Sequence, residues 1–259
     1  MGKYDSSKYR VVPLVESIKN DERNFEKFLG TVDNMPRLSF PSDENAYYYG
    51  DNEKQLKPPK AHLDALIDYM ASKKHNESSK LSHKRKALFG LDTPANREKT
   101  REEAKRLLEA VYDAQVLPKA WYIFEGATNP DIYIEGKDYV IICEGKWTES
   151  HITTNTTHLC EENEYRSQMI RHIQGALNST WKKVYAFYIV DEDCGYTSDL
   201  TLEALKRQIE RETIKPNGIT SILDSFYGYT TWQKIKSVIP SVHFRSKEEI
   251  DSIQYKYWR

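Results

Sequence analysis

The sequence predicts an α/β protein in which a central mixed sheet is flanked by helices. Three observations carry this. Residues 97–115 and 164–177 have the apolar spacing of amphipathic helices. Four runs are rich in β-branched and aromatic residues: WYIF at 121–124, DIYIE at 131–135, DYVIICEGK at 138–146 and KKVYAFYIVDE at 182–192. From residue 97 to 191 these segments follow one another as helix, three strands, helix, strand.

The first 60 residues alternate short apolar patches with polar, proline-containing stretches, and only residues 22–29 read as a helix. From residue 61, Leu63, Leu66, Ile67 and Met70 have helical spacing and lead into a basic segment. In the helix at 97–115, Ala104, Leu107, Leu108, Val111 and Ala114 share a face, with Thr93 or Asn96 as its cap and Pro118 beyond its end. The turn EGATNP separates the first two strands. In the helix at 164–177, Met169, Ile170, Ile173 and Ala176 share a face. Residues 200–213 read as one more helix, and the chain beyond is punctuated by Gly and Pro. The organisation expected is an N-terminal region, 1–95, with a substrate-binding role, a core at 96–195, and a C-terminal extension, 196–259, packed on that core.

A chain of 259 residues that is 39% hydrophobic can bury a sizeable core. No apolar run approaches the roughly 18–20 residues of a membrane span, and the N-terminus MGKYDSSKYR lacks a signal-peptide core, so a cytoplasmic protein without a membrane partner is expected. Cys143, Cys160 and Cys194 lack CxxC spacing, which argues against a disulfide framework and a standard zinc site. A formal net charge of −1 excludes a uniformly basic surface but not local segregation, as in KKHNESSKLSHKRK at 73–86.

The stretch NPDIYIEGKDYVIICEGK at 129–146 carries charged groups at the ends of two apolar strands. Glu135-Gly136-Lys137-Asp138 suits a hairpin, and with Gly136 opening a type II′ turn, Ile134 pairs with Tyr139 and Asp131 falls opposite Ile142. Alternation then sends Asp131, Ile142, Glu144 and Lys146 to one face. Ile132, Ile134, Tyr139, Ile141 and Cys143 point to the other, taken as the core face. Two carboxylates on adjacent strands make a hard oxygen site for Mg²⁺ or Mn²⁺. Lys146 beside them is suited to orienting or deprotonating a water and to stabilising developing charge. The set fits phosphodiester hydrolysis; the competing reading is a solvated strand end with a surface ion pair.

Pro130-Asp131, a hairpin and Glu144-Gly145-Lys146 together resemble the PD-(D/E)XK nuclease superfamily, and the order of elements over 97–191 resembles its restriction-endonuclease-like αβββαβ core. The resemblance implies a metal-dependent deoxyribonuclease using Mg²⁺ or Mn²⁺; it covers roughly residues 97–191, and the N- and C-terminal regions outside it are expected to be mostly helical additions. Asp131 and Glu144 would be metal ligands, the Gly145 carbonyl an extra ligand and Lys146 the water-activating residue. The glutamate that the family often adds from the preceding helix would be Glu103 or Glu109. Gln168 resembles a polar residue that some members direct at the site, but the tyrosine four residues on in one subfamily is His172 here, a departure from that subfamily. DNA is the implied partner, and a homodimer is compatible with this reading. The alternatives are a non-catalytic nucleic-acid-binding or interaction protein of the same fold, and a nuclease acting on RNA.

Weaker signals stand beside these. The basic segment 73–86 suits either phosphate contact or a solvated loop. Tyr47, Tyr48 and Tyr49 suit base stacking or partly buried packing. His151, His158 and Cys160 invite a zinc or general-base reading without the spacing of a structural site. His172 suits a phosphate contact or a half-buried polar contact, and Glu125 an outer metal ligand or a turn carboxylate.

Overall fold

A computed structural model describes residues 6–72, 93–114, 125–149 and 165–257. A π-helical turn at Ser7–Val11 runs into α1 (Val12–Ile18). Pro13 sits in the first turn of α1, where a missing N–H goes unmissed. The Asp21 carboxylate then accepts the Arg23 and Asn24 N–H groups and starts α2 (Glu22–Leu29). A short strand, β1 (Tyr47–Tyr49), follows. α3 (Lys60–Ser72) and α4 (Pro94–Tyr112) come next, and Thr93 is the residue that caps α4.

The hairpin follows as β2 (Ile132–Glu135) and β3 (Tyr139–Gly145), then α5 (Gln168–Ser179) and β4 (Lys183–Val190). The region left open by the sequence beyond residue 213 adds real structure. After α6 (Leu202–Arg211), which Thr201 caps, come α7 (Ile219–Asp224), β5 (Phe226–Thr231), α8 (Trp232–Val238) and α9 (Lys247–Tyr257). The strand expected at 121–124, the basic segment 73–86, and His151, His158 and Cys160 lie outside the described residues.

The five strands form one mixed sheet in the order β1-β2-β3-β4-β5. β1 and β2 pair antiparallel, as do β2 and β3; β3, β4 and β5 run parallel. The sheet takes β1 from the N-terminal region and β5 from the C-terminal one. In the hairpin Ile134 pairs with Ile141 and Ile132 with Cys143, and the Gly136 N–H donates to the Tyr139 carbonyl at 2.9 Å. The loop is therefore Lys137-Asp138, and the register differs by two residues from the one expected. A two-residue shift keeps every side chain on its own face, whereas a shift of one would have inverted them. What moves is the position of Asp131: continued one residue past β2, this register puts it level with Glu144 instead of Ile142.

Both faces of the sheet are covered, as expected of a central sheet flanked by helices. On one side Ile132, Ile141, Cys143 and Phe187 pack with Leu14 and Ile18 of α1, Phe25 and Phe28 of α2, and Trp232 and Ile235 of α8. On the other, Tyr133, Ile142, Ala186 and Tyr188 pack with Met169, Ile170 and Ile173 of α5 and with residues of α6. α3 and α4 bury Leu63, Ile67, Ala104 and Leu108 against each other in a third cluster. The tyrosine run is packing: Tyr47 is buried with its hydroxyl on the Pro41 carbonyl, and Tyr48 meets Tyr133 edge to face. Among the described residues no helix is long and apolar enough to cross a membrane.

Gly175 lets α5 approach the segment after β1, where Leu56 and Thr128 exchange backbone hydrogen bonds of 2.9 Å. A Cβ at Gly175 would lie 2.8 Å from the Cβ of Leu56. Gly175→Ala gains up to about 1 kcal/mol of helix propensity and loses about 1–3 kcal/mol to overpacking. A net loss on the order of 1 kcal/mol is expected in urea denaturation, and a gain would show that the contact yields freely.

Candidate active site

Just before β2 and at the end of β3 the chain brings Asp131 near Glu144 and Lys146, and the last two meet α5. Gly145 lies between the last two because its other side has no room. A Cβ there would stand 3.1 Å from the Trp232 ring and 3.2 Å from Val11. The backbone around it is held on both sides: the Lys146 N–H donates to the Ile189 carbonyl, and the Trp232 indole N–H donates to the Lys146 carbonyl, each at 2.8 Å. The Gly145 N–H donates to Asp131 Oδ2 at 2.8 Å, which fixes that carboxylate beside the strand end.

Glu144 is surrounded by donors. Lys146 Nζ lies 2.8 Å and Gln168 Nε2 2.7 Å from its Oε1, and His172 Nε2 lies 3.0 Å from its Oε2. Gln168 and His172, four residues apart on α5, share a helix face one turn apart, so both reach the same carboxylate. Gln168 also accepts from Lys146 Nζ at 3.4 Å. The side chains of Glu144 and Lys146 are only 4% and 8% exposed, so this is no solvated surface pair. Asp131 is half-buried and forms the open side of the group.

The electrostatics follow from this packing. Burial opposes charge on Glu144, but the Lys146 ammonium and the His172 hydrogen bond outweigh it and bring its pKa down to about 2. Burial likewise disfavours the Lys146 ammonium, yet Glu144 more than compensates and its pKa stands above the ordinary lysine value. Asp131 goes the other way. Burial, then the facing Glu144 charge, pushes its carboxyl well above the usual carboxylate range.

Among the described residues no three His, Cys, Asp or Glu side chains converge as a ready metal cage. The donor set nevertheless fits Mg²⁺ or Mn²⁺, which need only one or two protein carboxylates beside water and substrate oxygens. Burial, and then the Glu144 charge, disfavour the Asp131 carboxylate, and a cation beside it would offset both. The Gly145 carbonyl accepts the Ser6 hydroxyl at 3.3 Å and keeps further acceptor capacity. The helix glutamates stand apart from this group. Glu103 is exposed on α4, and Glu109 pairs with Lys60 of α3. A carboxylate whose charge does reach Asp131 is Glu53, which the sequence did not single out.

Glu125 is neither a turn carboxylate in solvent nor placed to serve as an outer metal ligand. Fully buried, it lies 2.6 Å from His62 Nε2 and 3.3 Å from Arg166 Nε and accepts from Arg171. Arg166 in turn reaches Glu212 at 2.6 Å and Gln174 at 2.7 Å, and the Ser167 N–H donates to Glu212 at 2.6 Å. Two carboxylates and two guanidiniums balance, so the network buries no net charge while His62 is neutral. This cluster joins α3, the start of α5 and the end of α6, and it anchors the turn that presents Gln168. The sequence signal for it lay in QMIRHIQGAL, where Arg171, His172 and Gln174 interrupt an apolar helix. A helix buried all round must pair its polar groups.

No family model matches the chain, and no curated protein or solved structure is similar to it. The class of protein therefore rests on the mixed α/β sheet and on the chemistry at its strand ends.

Removing the charge of Glu125 leaves two buried guanidiniums against one buried carboxylate. Glu125→Gln is expected to cost about 3–5 kcal/mol in urea denaturation; a loss within experimental error would mean that water reaches the cluster. Burial, and then Arg166, hold the His62 pKa below its ordinary value. As the pH falls, the unfolded chain takes up this proton first, starting near about pH 6.5. The stability that His62 contributes is therefore full above that pH and is lost on acidification toward the lowered folded-state value. Relative to His62→Gln, the wild-type protein should lose stability below about pH 6.5 by up to about 1.4 kcal/mol per pH unit; parallel stability curves would disprove the assignment.

Proposed function

We propose that this protein is a metal-dependent nuclease that hydrolyses DNA phosphodiester bonds, built on a restriction-endonuclease-like core. The observation that carries the reading is the set of contacts around Gly145: its N–H donates to Asp131 Oδ2 at 2.8 Å, while its neighbours on either side meet, with Lys146 Nζ 2.8 Å from Glu144. Asp131 and Glu144 would hold Mg²⁺ or Mn²⁺, with the Gly145 carbonyl available beside them. Bound there, the cation would lower the pKa of a water and neutralise charge on the phosphate.

The chain's own groups have separable roles. Lys146 has three donors, of which two are directed at Glu144 and Gln168, leaving one for the attacking water or a phosphate oxygen. Its charge stabilises the additional negative charge on the phosphate oxygens as the bond to the attacking oxygen forms. Gln168 holds the Lys146 ammonium and the Glu144 carboxylate in one arrangement. Asp131, half-buried, sets the side from which a phosphodiester approaches.

A second reading has its own observation. Glu144, Lys146, Gln168 and His172 satisfy one another in a buried cluster, as a purely structural polar core would, which favours a non-catalytic protein of the same fold.

The two readings separate on one experiment. Purified protein should cut DNA in Mg²⁺ or Mn²⁺ and stop in excess chelator. Asp131→Asn should weaken Mn²⁺ binding and abolish cleavage, because it removes a charged ligand. Lys146→Ala should retain Mn²⁺ binding yet lower the single-turnover rate by at least about a hundredfold. Cleavage that survives chelation removes the metal reading, and an inert wild-type protein favours the structural one.

A further inference from the structure

We propose that His172 is a positioning residue that fixes the Glu144 carboxylate for cation binding, oriented in turn by Thr128; the inference rests on the metal-site reading above. Both ring nitrogens are committed inside the protein. Nε2 lies 3.0 Å from Glu144 Oε2 and Nδ1 lies 2.8 Å from Thr128 Oγ1. A carboxylate only accepts, so Nε2 carries the hydrogen, and in the neutral ring Nδ1 accepts the Thr128 hydroxyl. The chain of donation runs from Thr128 to His172 to Glu144. With both nitrogens so used and the ring buried, His172 has no nitrogen left for a phosphate.

The chain is anchored at its far end. Thr128 is buried, and its N–H and carbonyl both bond to Leu56 at 2.9 Å. At the near end Lys146 and Gln168 hold only Oε1 of Glu144, which by itself leaves the carboxylate free to swing about that oxygen. The His172 bond to Oε2 removes that freedom. Of roughly four acceptor positions on a carboxylate, three are then taken. One acceptor position stays open, and holding both oxygens fixes where it points. Partners that orient a ligand in this way are typically worth about 10–100-fold in metal affinity or activity.

The test measures Mn²⁺ binding directly, by calorimetry and by the electron-spin-resonance signal of free Mn²⁺, on the wild-type protein and on three variants. His172→Phe keeps the ring volume and removes both hydrogen bonds; it should bind Mn²⁺ about 10–100-fold more weakly. His172→Gln, whose amide N–H can reach the Nε2 position, should recover most of that loss. Thr128→Val leaves the ring in place and removes only its orienting hydroxyl, so it should weaken binding in the same direction by less, and it serves where the phenylalanine variant does not fold. A purely structural role would lower the melting temperature and leave Mn²⁺ affinity unchanged. Folded His172→Phe or, failing that, Thr128→Val that binds Mn²⁺ within twofold of the wild type overturns the proposal. A wild-type protein that binds no Mn²⁺ overturns instead the metal-site reading on which it rests.

Discussion

Asp131, one residue before β2, and Glu144 of β3 are close enough at one end of the sheet for the Glu144 charge to bear on Asp131. Two neighbouring carboxylates in a partly desolvated strand end repel each other, and each must be compensated or protonated. The surroundings answer this unequally. Glu144 receives an ammonium, an amide and an imidazole, while Asp131 receives one backbone N–H and the more open position. Burial and then the Glu144 charge raise the Asp131 pKa, whereas the Lys146 ammonium and the His172 hydrogen bond outweigh burial and lower that of Glu144.

The rest of the molecule holds this pair in place. Gly145 allows Trp232 and Val11 to close on the back of the strand, so the active face and the α1–α8 core are separated by a single backbone. On the front, α5 carries two polar networks at once. Its Gln168 and His172 serve Glu144, while Arg171 serves Glu125, beside Arg166 just ahead of the helix. A shift of α5 would strand several buried charges together, a far larger penalty than any one of these bonds is worth. The helix is consequently a rigid support for the site, and the rigidity comes from polar groups as much as from Met169, Ile170 and Ile173.

Much of the fold was legible in the sequence because it depends on local periodicity. The helices at 22–29 and near 61–72, the capped helix α4, and strands β2, β3 and β4 all follow from apolar spacing and turn chemistry that any fold would have to respect. That Glu144 and Lys146 share a face was legible too, because residues two apart on a strand point the same way. β1 and β5 were not. A three-residue YYY run and the glycine-containing FYGYTT become strands because β2 and β4 offer them open edges.

The amino-acid sequence by itself determined which residues alternate on each strand and which helix faces are apolar, since both are properties of a chain with fixed periods of 2 and 3.6. Tertiary structure decided what those residues meet. It tied Asp131 to the Gly145 N–H beside Glu144, turned His172 onto that glutamate, left Glu103 in solvent on a helix that packs with α3, and enclosed Glu125 among His62, Arg166 and Arg171. Each of those outcomes joins groups that are distant in sequence or depends on how a helix rotates against its neighbours, and local propensity carries no information about either.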